Sequence, residues 1–180
     1  MTKIAIVTGA SRGFGRGTAR ILASEAGYKV YATARTESAL HSLQKEVAES
    51  NAAGEVIPVV LDQSDDEAVA EFVRRVSASE EKIDLLVNSA YAGLIAMTPH
   101  FGKPFWERPI SVFDGSMDIG VRGAYVMSAL VAPAMVKAKN GLIVQISSYG
   151  GFAYVFDVGY GVAHAAMDRS AEAAAQAERD

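Results

Sequence analysis

The sequence predicts an α/β fold in which helices cover both faces of a doubly wound parallel sheet. Short β-branched runs alternate with longer amphipathic runs along the chain, which is typical of repeated βα units. The first short run is followed at once by a glycine-rich turn and a helical pattern. The chain has 180 residues and is 50% hydrophobic, which suits a single domain spanning 1–180 with a buried core.

Five strands are predicted from the short apolar runs. They are Lys3–Thr8, Tyr28–Thr33, Val56–Leu61, Ile83–Asn88 and Leu142–Ser147. The third run contains Pro58, which lacks the N–H that a strand donates to its neighbour and therefore weakens this assignment.

Five helices are predicted between and after these strands. They span about Gly13–Ala26, Thr36–Ala52, Ser64–Ser79, Ser111–Ala138 and Tyr160–Glu178. We expect Gly27 to be the C-cap of the first helix. We expect Ser64 to be the N-cap of the third, with Glu67 three residues later. A break in the fourth helix is expected at Gly120 or Pro133.

Residues Ser89–Pro109 are predicted to form a loop that is too long for a simple connection. It carries four aromatic residues, Tyr91, Phe101, Phe105 and Trp106. Two interpretations stay open: a surface excursion held down by its aromatic side chains, or one side of a ligand pocket.

Composition excludes several classes of function. The net charge of −4 argues against a basic nucleic-acid-binding face. The absence of Cys excludes disulfide scaffolds, thiol redox centres and zinc fingers. His41, His100 and His164 are far apart in sequence, so we expect no metal site. We see no apolar run of about 18 residues and no secretory pattern, so we expect no membrane span and a soluble, cytoplasmic protein.

The segment Thr8–Gly15, with the sequence TGASRGFG, follows the first strand and opens the first helix. Glycines let the backbone turn sharply and approach a pyrophosphate, which the free N–H groups of a helix N-terminus bind. Such a turn can be purely structural, but a strand before it and a helix after it favour a dinucleotide site. The expected pyrophosphate-binding residues are Gly9, Ser11, Arg12, Gly13, Phe14 and Gly15.

The end of the second strand indicates which dinucleotide binds. An NAD site places an acidic residue about 20 residues after the glycine loop, on the ribose 2′-hydroxyl. Here Arg35 stands at that point with no acid beside it, and Arg35 and Arg12 could pair with a 2′-phosphate. The pattern favours NADP(H) over NAD(H), although both arginines could simply be solvated. Asp62 is expected either to bind the adenine amino group or to cap the next helix.

Four motifs in chain order resemble those of the short-chain dehydrogenase/reductase family. They are the Thr8–Gly15 loop, Asp62, Asn88-Ser89-Ala90, and the pair formed by Ser148 and Tyr160. The resemblance implies a Rossmann-like fold. It also implies an oxidoreductase that transfers hydride between NADP(H) and a small-molecule carbonyl or alcohol. In that family Asn88, Ala90 and Gly93 would line the floor of the cofactor site.

The resemblance implies that Ser148 polarises the substrate carbonyl and that Tyr160 delivers its proton. A free tyrosine has a pKa near 10, so it acts as an acid or base at pH 7 only when a cation lowers that pKa. The family supplies a Lys four residues after the Tyr, and here the position is His164. Free histidine is mostly neutral at pH 7. His164 is therefore a working substitute, a mark of weak or absent turnover, or a sequence error.

A second departure lies at Gly120, where the family usually has an Asn that carries a proton-relay water. Two other functions are weighed against the oxidoreductase. A dinucleotide-binding protein without useful turnover would keep the glycine loop and change the Lys position, as this chain does. A flavin or nucleotide-sugar protein is disfavoured because the Ser–Tyr spacing would then be a coincidence.

The chain is short for the family it resembles. Members usually continue through a sixth and a seventh strand, which are absent here. The fifth strand would then be an apolar sheet edge, which invites pairing. We therefore expect a C-terminally truncated form or a partner chain on that edge, and the resemblance implies a homo-oligomer.

Overall fold

The computed structural model of the chain describes residues 2–177. By their backbone contacts these residues form two compact units. The first unit contains residues 2–90 and 126–144, and the second contains residues 91–125 and 145–177.

The first unit is built on a five-stranded parallel sheet. Its strands are β1 (Lys3–Thr8), β2 (Tyr28–Ala34), β3 (Glu55–Val60), β4 (Leu85–Asn88) and β5 (Leu142–Gln145), in the order β3-β2-β1-β4-β5. All five predicted strands and the predicted fold class are confirmed. The register places Ala5 of β1 opposite Val30 of β2 and Leu85 of β4. The chain runs outward from β1 in one direction to β3 and then in the other to β5, so the sheet is doubly wound.

The doubtful third strand forms despite its proline. Pro58 lies opposite Ala32 of β2, and β3 has a neighbour on one side only. Proline has no N–H to donate, but an edge strand has no second neighbouring strand that would lose a hydrogen bond. The other edge is β5, as the sequence predicts.

Apolar side chains of β1 contribute to the hydrophobic core of the first unit. Ile4 and Ile6 are buried in one cluster with Phe72, Leu86 and Met127. An unbroken apolar run is expected for a strand that is covered on both faces.

Within residues 2–177, seven α-helices surround these strands or form the second unit. They are α1 (Gly13–Ser24), α2 (Glu37–Glu49), α3 (Asp66–Ser79), α4 (Gly93–Met97), α5 (Ser111–Ser116), α6 (Ala124–Ala138) and α7 (Val158–Ala177). Three single 3₁₀ turns lie at Thr98–His100, Phe105–Glu107 and Tyr149–Gly151. The predicted end of the last helix, Glu178, lies outside the described residues.

Two predicted helix caps are wrong. The first helix ends at Ser24, and Glu25 is its C-cap. Gly27 lies two residues further on, at φ +71°. The third helix is capped by Asp65, whose side chain accepts the N–H of Ala68 at 3.0 Å. Ser64 does not cap this helix, and its own N–H and hydroxyl both donate to Asp62.

The predicted loop Ser89–Pro109 is partly helical, since α4 and two 3₁₀ turns lie within it. The predicted long helix is interrupted at Gly120, because Met117–Gly123 forms a π-helical segment between α5 and α6. Pro133 does not interrupt α6, which continues past it to Ala138.

One helical stretch, Ser111–Ala138, is long and apolar enough to cross a membrane by length and composition, with a mean hydropathy of 1.5 in its most apolar window. The sequence prediction of no such span counted only uninterrupted apolar runs. Core helices of globular proteins meet the same criterion. In this chain 33% of that window is buried, and Met127, Val131 and Met135 of α6 lie in the core cluster of the first unit.

Candidate functional site

The glycine loop of the first unit requires its glycines at two positions. Gly9 has φ +68°, and a Cβ there would lie 2.8 Å from the Cα of Ala90. A Cβ on Gly15 would lie 2.5 Å from the carbonyl oxygen of Gly9. Side chains at either position would displace the backbone that follows β1 or β4, so the close approach of these segments depends on glycine.

The loop leaves the N-terminus of α1 open for an anion. Arg12 is the N-cap in an extended conformation, and within the described chain no side chain caps this helix. No acidic residue lies in its first turn, within Gly13–Ser24. The first N–H groups of a helix have no intrahelical partner and carry a partial positive charge. The residues therefore fit a pyrophosphate, with Ser11 half-buried and Arg12 and Phe14 exposed around the opening.

Thr8 links the end of β1 to the segment after β4, and the strand order of the sheet reverses between these two strands. Its hydroxyl oxygen accepts the N–H groups of Ser89 and Ala90, both at 3.0 Å. The N–H of Ala10 donates to the carbonyl of Thr33 at 3.0 Å, so the end of β2 is tied to the same loop. Ligands of open α/β sheets bind at this reversal point. Sequence reasoning missed this role of Thr8, although a polar residue at the end of an apolar strand was a visible signal.

Asn88 is buried at the end of β4. Its Nδ2 donates to the hydroxyl of Ser128 at 2.9 Å. Its Oδ1 is buried and has no hydrogen-bond partner among residues 2–177. A buried acceptor without a donor is costly, so Asn88 is suited to receive a hydrogen bond from a bound group.

The two residues expected near the adenosine lie close together on the surface. Arg35 follows the last residue of β2, and its Nη1 lies 3.9 Å from Oδ2 of Asp62. The backbone N–H and the hydroxyl of Ser64 donate to Asp62 and lower the pKa of its carboxyl. Asp62 therefore remains charged, and the alternative in which it caps α3 is wrong because Asp65 does so.

The second unit contains Tyr160 and His164, one turn apart on α7. The two rings stack with their centroids 4.0 Å apart and an interplanar angle of 33°. Nδ1 of His164 lies 2.8 Å from the carbonyl oxygen of Tyr160, and because a carbonyl only accepts, this nitrogen carries the proton. His164 is buried, and its side chain is hydrogen-bonded to the backbone of its own helix. Only Nε2 is left for another partner, whereas a lysine would offer three donors.

Ser148 and Tyr160 converge on one glycine. Ser148 begins the turn Tyr149–Gly151, and its hydroxyl oxygen accepts the N–H of Gly150 at 3.1 Å. A Cβ on Gly150 would lie 2.6 Å from Cδ1 of Tyr160 and 3.2 Å from Oγ of Ser148. A side chain at position 150 would therefore collide with the Tyr160 ring and crowd the Ser148 hydroxyl.

Tyr91 is a further residue of this cluster. Its ring meets Tyr160 edge to face at 5.9 Å and His164 at 5.1 Å. Its hydroxyl donates to Ser116 at 3.1 Å. Burial raises the pKa of Tyr91 to about 12, so it keeps its proton at neutral pH and is not suited to acid–base chemistry. The sequence indicated Tyr91 only as one of four loop aromatics.

The packing of Tyr91 also explains why two neighbouring positions are glycine. A Cβ on Gly93, at the start of α4, would meet the Tyr91 hydroxyl and Ser116. A Cβ on Gly120 would lie 2.6 Å from the Tyr91 ring. An Asn at position 120, as in the usual family pattern, would require Tyr91 to move. The π-helical segment around Gly120 preserves the irregular backbone that the sequence predicts there.

Comparisons with known proteins identify the family of the chain. The family model for short chain dehydrogenase matches residues 3–179. Dehydrogenase/reductase SDR family member 1 of Mus musculus is 42% identical over 170 residues, which cover 94% of this chain and 53% of the mouse protein.

Solved structures give the same result for the fold. A metagenomic short-chain oxidoreductase in complex with NADP matches with a TM-score of 0.86 and 31% identity, over 98% of this chain and 76% of that one. NAD⁺-bound xylitol dehydrogenase matches with a TM-score of 0.84 and 29% identity, over 97% of this chain and 64% of that one. The chain spans about half the length of the curated relatives it matches.

Proposed function

The chain belongs to the short-chain dehydrogenase family of NAD(P)-dependent oxidoreductases, and on this basis we propose that it reduces a small-molecule carbonyl to an alcohol with NADPH, and catalyses the reverse reaction. The convergence of Ser148 and Tyr160 on Gly150 is the observation that carries the proposal. It supports the proposal because Ser148, a hydroxyl donor, and Tyr160, the candidate general acid, both lie beside Gly150 in the second unit.

The dinucleotide would be held by residues of the first unit. The open N-terminus of α1 and the loop Gly9–Gly15 would bind the pyrophosphate, and Arg35 with Arg12 would bind a 2′-phosphate. When bound, the reduced nicotinamide supplies the hydride, which is two electrons and one proton. The absence of an acid at the end of β2, where Arg35 stands, supports NADP(H) over NAD(H) for this chain. The related structures include one with NADP and one with NAD⁺.

Ser148 and Tyr160 would act on the substrate oxygen. The N–H of Gly150 occupies an acceptor site on the Ser148 oxygen, which leaves the hydroxyl proton free to be donated to the carbonyl. Tyr160 would transfer its phenolic proton to that oxygen as the carbonyl carbon is reduced, so the products are the alcohol and the oxidised dinucleotide. In the reverse direction the tyrosinate takes the proton back.

A second candidate function is dinucleotide binding without useful turnover. The geometry of His164 favours it, because its Nδ1 is held by the Tyr160 carbonyl and its ring is stacked on the tyrosine. In this case the glycine loop would bind NADPH normally while proton transfer at Tyr160 stayed slow.

One experiment separates the two. NADPH binding is measured by fluorescence titration, and its oxidation is followed with a panel of ketones and aldehydes. We expect the wild type to turn over, Tyr160→Phe to lose at least about 100-fold in kcat, and Tyr149→Phe, a change in the neighbouring exposed turn, to have no effect.

His164→Lys completes this design. Turnover in the variant alone would identify His164 as the disabling change and favour the second function. Binding of NADPH with no turnover in either form would reject the oxidoreductase proposal.

A further inference from the structure

The backbone just before α7 is strained at Phe156. This residue has φ +64°, in the left-handed region that bulky side chains rarely adopt. The N–H of Asp157 donates to the carbonyl of Val155 at 2.7 Å. A hydrogen bond across one residue of positive φ is the pattern of the rarer, strained form of γ-turn. Such a conformation persists only where the surrounding structure fixes it.

A buried ion pair fixes this turn. Nη1 of Arg108 lies 2.6 Å from Oδ2 of Asp157, and both side chains are only 6% exposed. The same guanidinium donates to the carbonyls of Phe156 at 3.2 Å and Lys103 at 2.9 Å. The other carboxylate oxygen accepts the N–H of Gly159 in the first turn of α7, at 2.7 Å. Arg108 and Asp157 together therefore join residues 103–108 to the turn and to the start of the helix that carries Tyr160.

The turn places the Phe156 ring against Tyr160. The two rings meet edge to face with their centroids 5.4 Å apart. On another side the Phe156 ring packs against Phe101 at 5.8 Å. Phe156 is still 50% exposed, so an apolar surface beside Tyr160 faces solvent.

We propose that Phe156 is a specificity-determining residue that favours carbonyl substrates bearing an aromatic or branched aliphatic group, and that Arg108 and Asp157 are positioning residues that hold its ring beside Tyr160. The inference rests on the proposed reaction at Tyr160. A substrate bound at Tyr160 would lie beside the Phe156 ring, which is half exposed and packs edge to face on the Tyr160 ring. Burial of an apolar group against an aromatic ring is favourable, whereas a small polar substrate gains nothing from it.

The chemistry of arginine explains why this residue suits the position. A planar guanidinium has five N–H donors in a fixed arrangement, so it can serve one carboxylate and two carbonyls at once. A lysine keeps the charge for Asp157 but does not reproduce that arrangement. Arg108→Lys should therefore keep the ion pair and release the Phe156 carbonyl.

The test compares kcat/KM for acetophenone with kcat/KM for acetaldehyde, with NADPH as reductant. We expect Phe156→Ala and Phe156→Gly to lower this ratio about tenfold, mainly through a higher KM for acetophenone. The glycine variant removes the ring and also tolerates the positive φ. Phe152→Ala is the matched control, because Phe152 lies four residues earlier and is 81% exposed, and its ratio should not change.

Arg108→Lys should lower the same ratio by a similar factor. If Arg108 acts through Phe156, the double variant Arg108→Lys/Phe156→Gly should be no worse than Phe156→Gly alone. Additive effects would overturn the positioning role, and an unchanged ratio in both Phe156 variants would overturn the specificity role. The Kd for NADPH and the melting temperature show whether each variant folds, and the glycine variant decides the ring's role even if Arg108→Lys does not fold.

A binding measurement separates this inference from the proposed function. Saturation-transfer NMR gives the Kd of acetophenone for the chain in the presence of NADP⁺. If wild type lacks turnover but Phe156→Gly weakens acetophenone binding about tenfold, the proposed reaction is rejected. The role of Phe156 in selecting apolar ligands is then still supported. If the two Kd values are equal, the role of Phe156 is rejected whatever the turnover.

Discussion

Arg35 stands where an acidic residue would bind the ribose of NAD, and its Nη1 lies 3.9 Å from Oδ2 of Asp62. Both side chains are largely exposed, so this ion pair is weak and leaves the guanidinium free to turn toward a phosphate. In the proposed function Arg35 is one of two side chains, with Arg12, that would select NADP(H) over NAD(H). Its role can be tested without any knowledge of the substrate.

We expect Arg35→Ser to weaken NADPH binding about tenfold or more and to leave NADH binding nearly unchanged, because a charge-assisted hydrogen bond to the 2′-phosphate is lost. Fluorescence titration of both dinucleotides measures the effect. Arg74→Ser is the matched control, since Arg74 is a similarly exposed arginine on α3. An equal loss of affinity for NADH and NADPH would contradict the assignment of Arg35 to the 2′-phosphate.

The residues of the candidate site differ in how well the sequence alone predicts their roles. The glycine loop is contiguous, so its spacing and flanking elements predict its conformation. Arg108 and Asp157 are 49 residues apart, and each alone resembles an ordinary surface charge. Their pairing depends on tertiary packing, which no local pattern records.

The helices show the same limit at the scale of elements. Apolar periodicity predicts that α1, α2 and α3 exist, and the structure confirms each within a few residues. It does not choose between adjacent capping residues such as Ser64 and Asp65, because both are good N-caps. The choice is made by Asp62, which accepts both hydrogen bonds that Ser64 can donate. The short helix α4 was missed because five residues are too few to show a period.

The cap of α3 provides a test at this scale. Asp65→Ala should lower the free energy of unfolding by about 1 kcal/mol, because the N–H of Ala68 loses its acceptor. Ser64→Ala should cost clearly less, although the sequence pattern favours Ser64 as the cap. Urea denaturation of both variants measures the two changes, and a larger loss for Ser64→Ala would restore the sequence-based assignment.

At the scale of the whole molecule, the sheet has two edges, β3 and β5. The Pro58 position protects β3 from pairing with another chain, since a proline offers no N–H. The exposed Leu142 at the start of β5 has no such protection. That a second chain or additional residues cover this edge stays a prediction, and size-exclusion chromatography of the chain would test it.

Asp84, the residue just before β4, links β1 and β5 through its carboxylate and its backbone carbonyl. Its Oδ2 accepts the N–H of Ile4 in β1 at 2.9 Å, and its Oδ1 accepts the side-chain amide of Asn140 at 2.9 Å. Its backbone carbonyl accepts the N–H of Leu142 in β5 at 3.0 Å. Lys82 lies 2.7 Å from the carboxylate, which is only 9% exposed. Burial alone raises the pKa of Asp84, but Lys82, Ile4 and Asn140 together lower it below its ordinary value.

The direction of that shift predicts how stability depends on pH. An unfolded Asp has a pKa of about 3.9, and the folded pKa is lower. The unfolded chain therefore takes up the proton first as pH falls. The stabilisation by Asp84 is complete at pH values well above 3.9 and is lost as the pH falls through the folded pKa.

Asp84→Asn should lower the free energy of unfolding at pH 7 by roughly 1.5–3 kcal/mol, because the charge-assisted hydrogen bonds are weakened and Lys82 loses its partner. The difference from wild type should shrink as the pH falls below about 4, since protonation makes the wild type resemble the variant. Urea denaturation between pH 3 and pH 7 measures both curves. Glu49→Gln, a change at an exposed carboxylate of α2, is the control and should follow wild type throughout. A constant difference between Asp84→Asn and wild type across this range would show that the charge of the Asp84 carboxylate does not stabilise the fold.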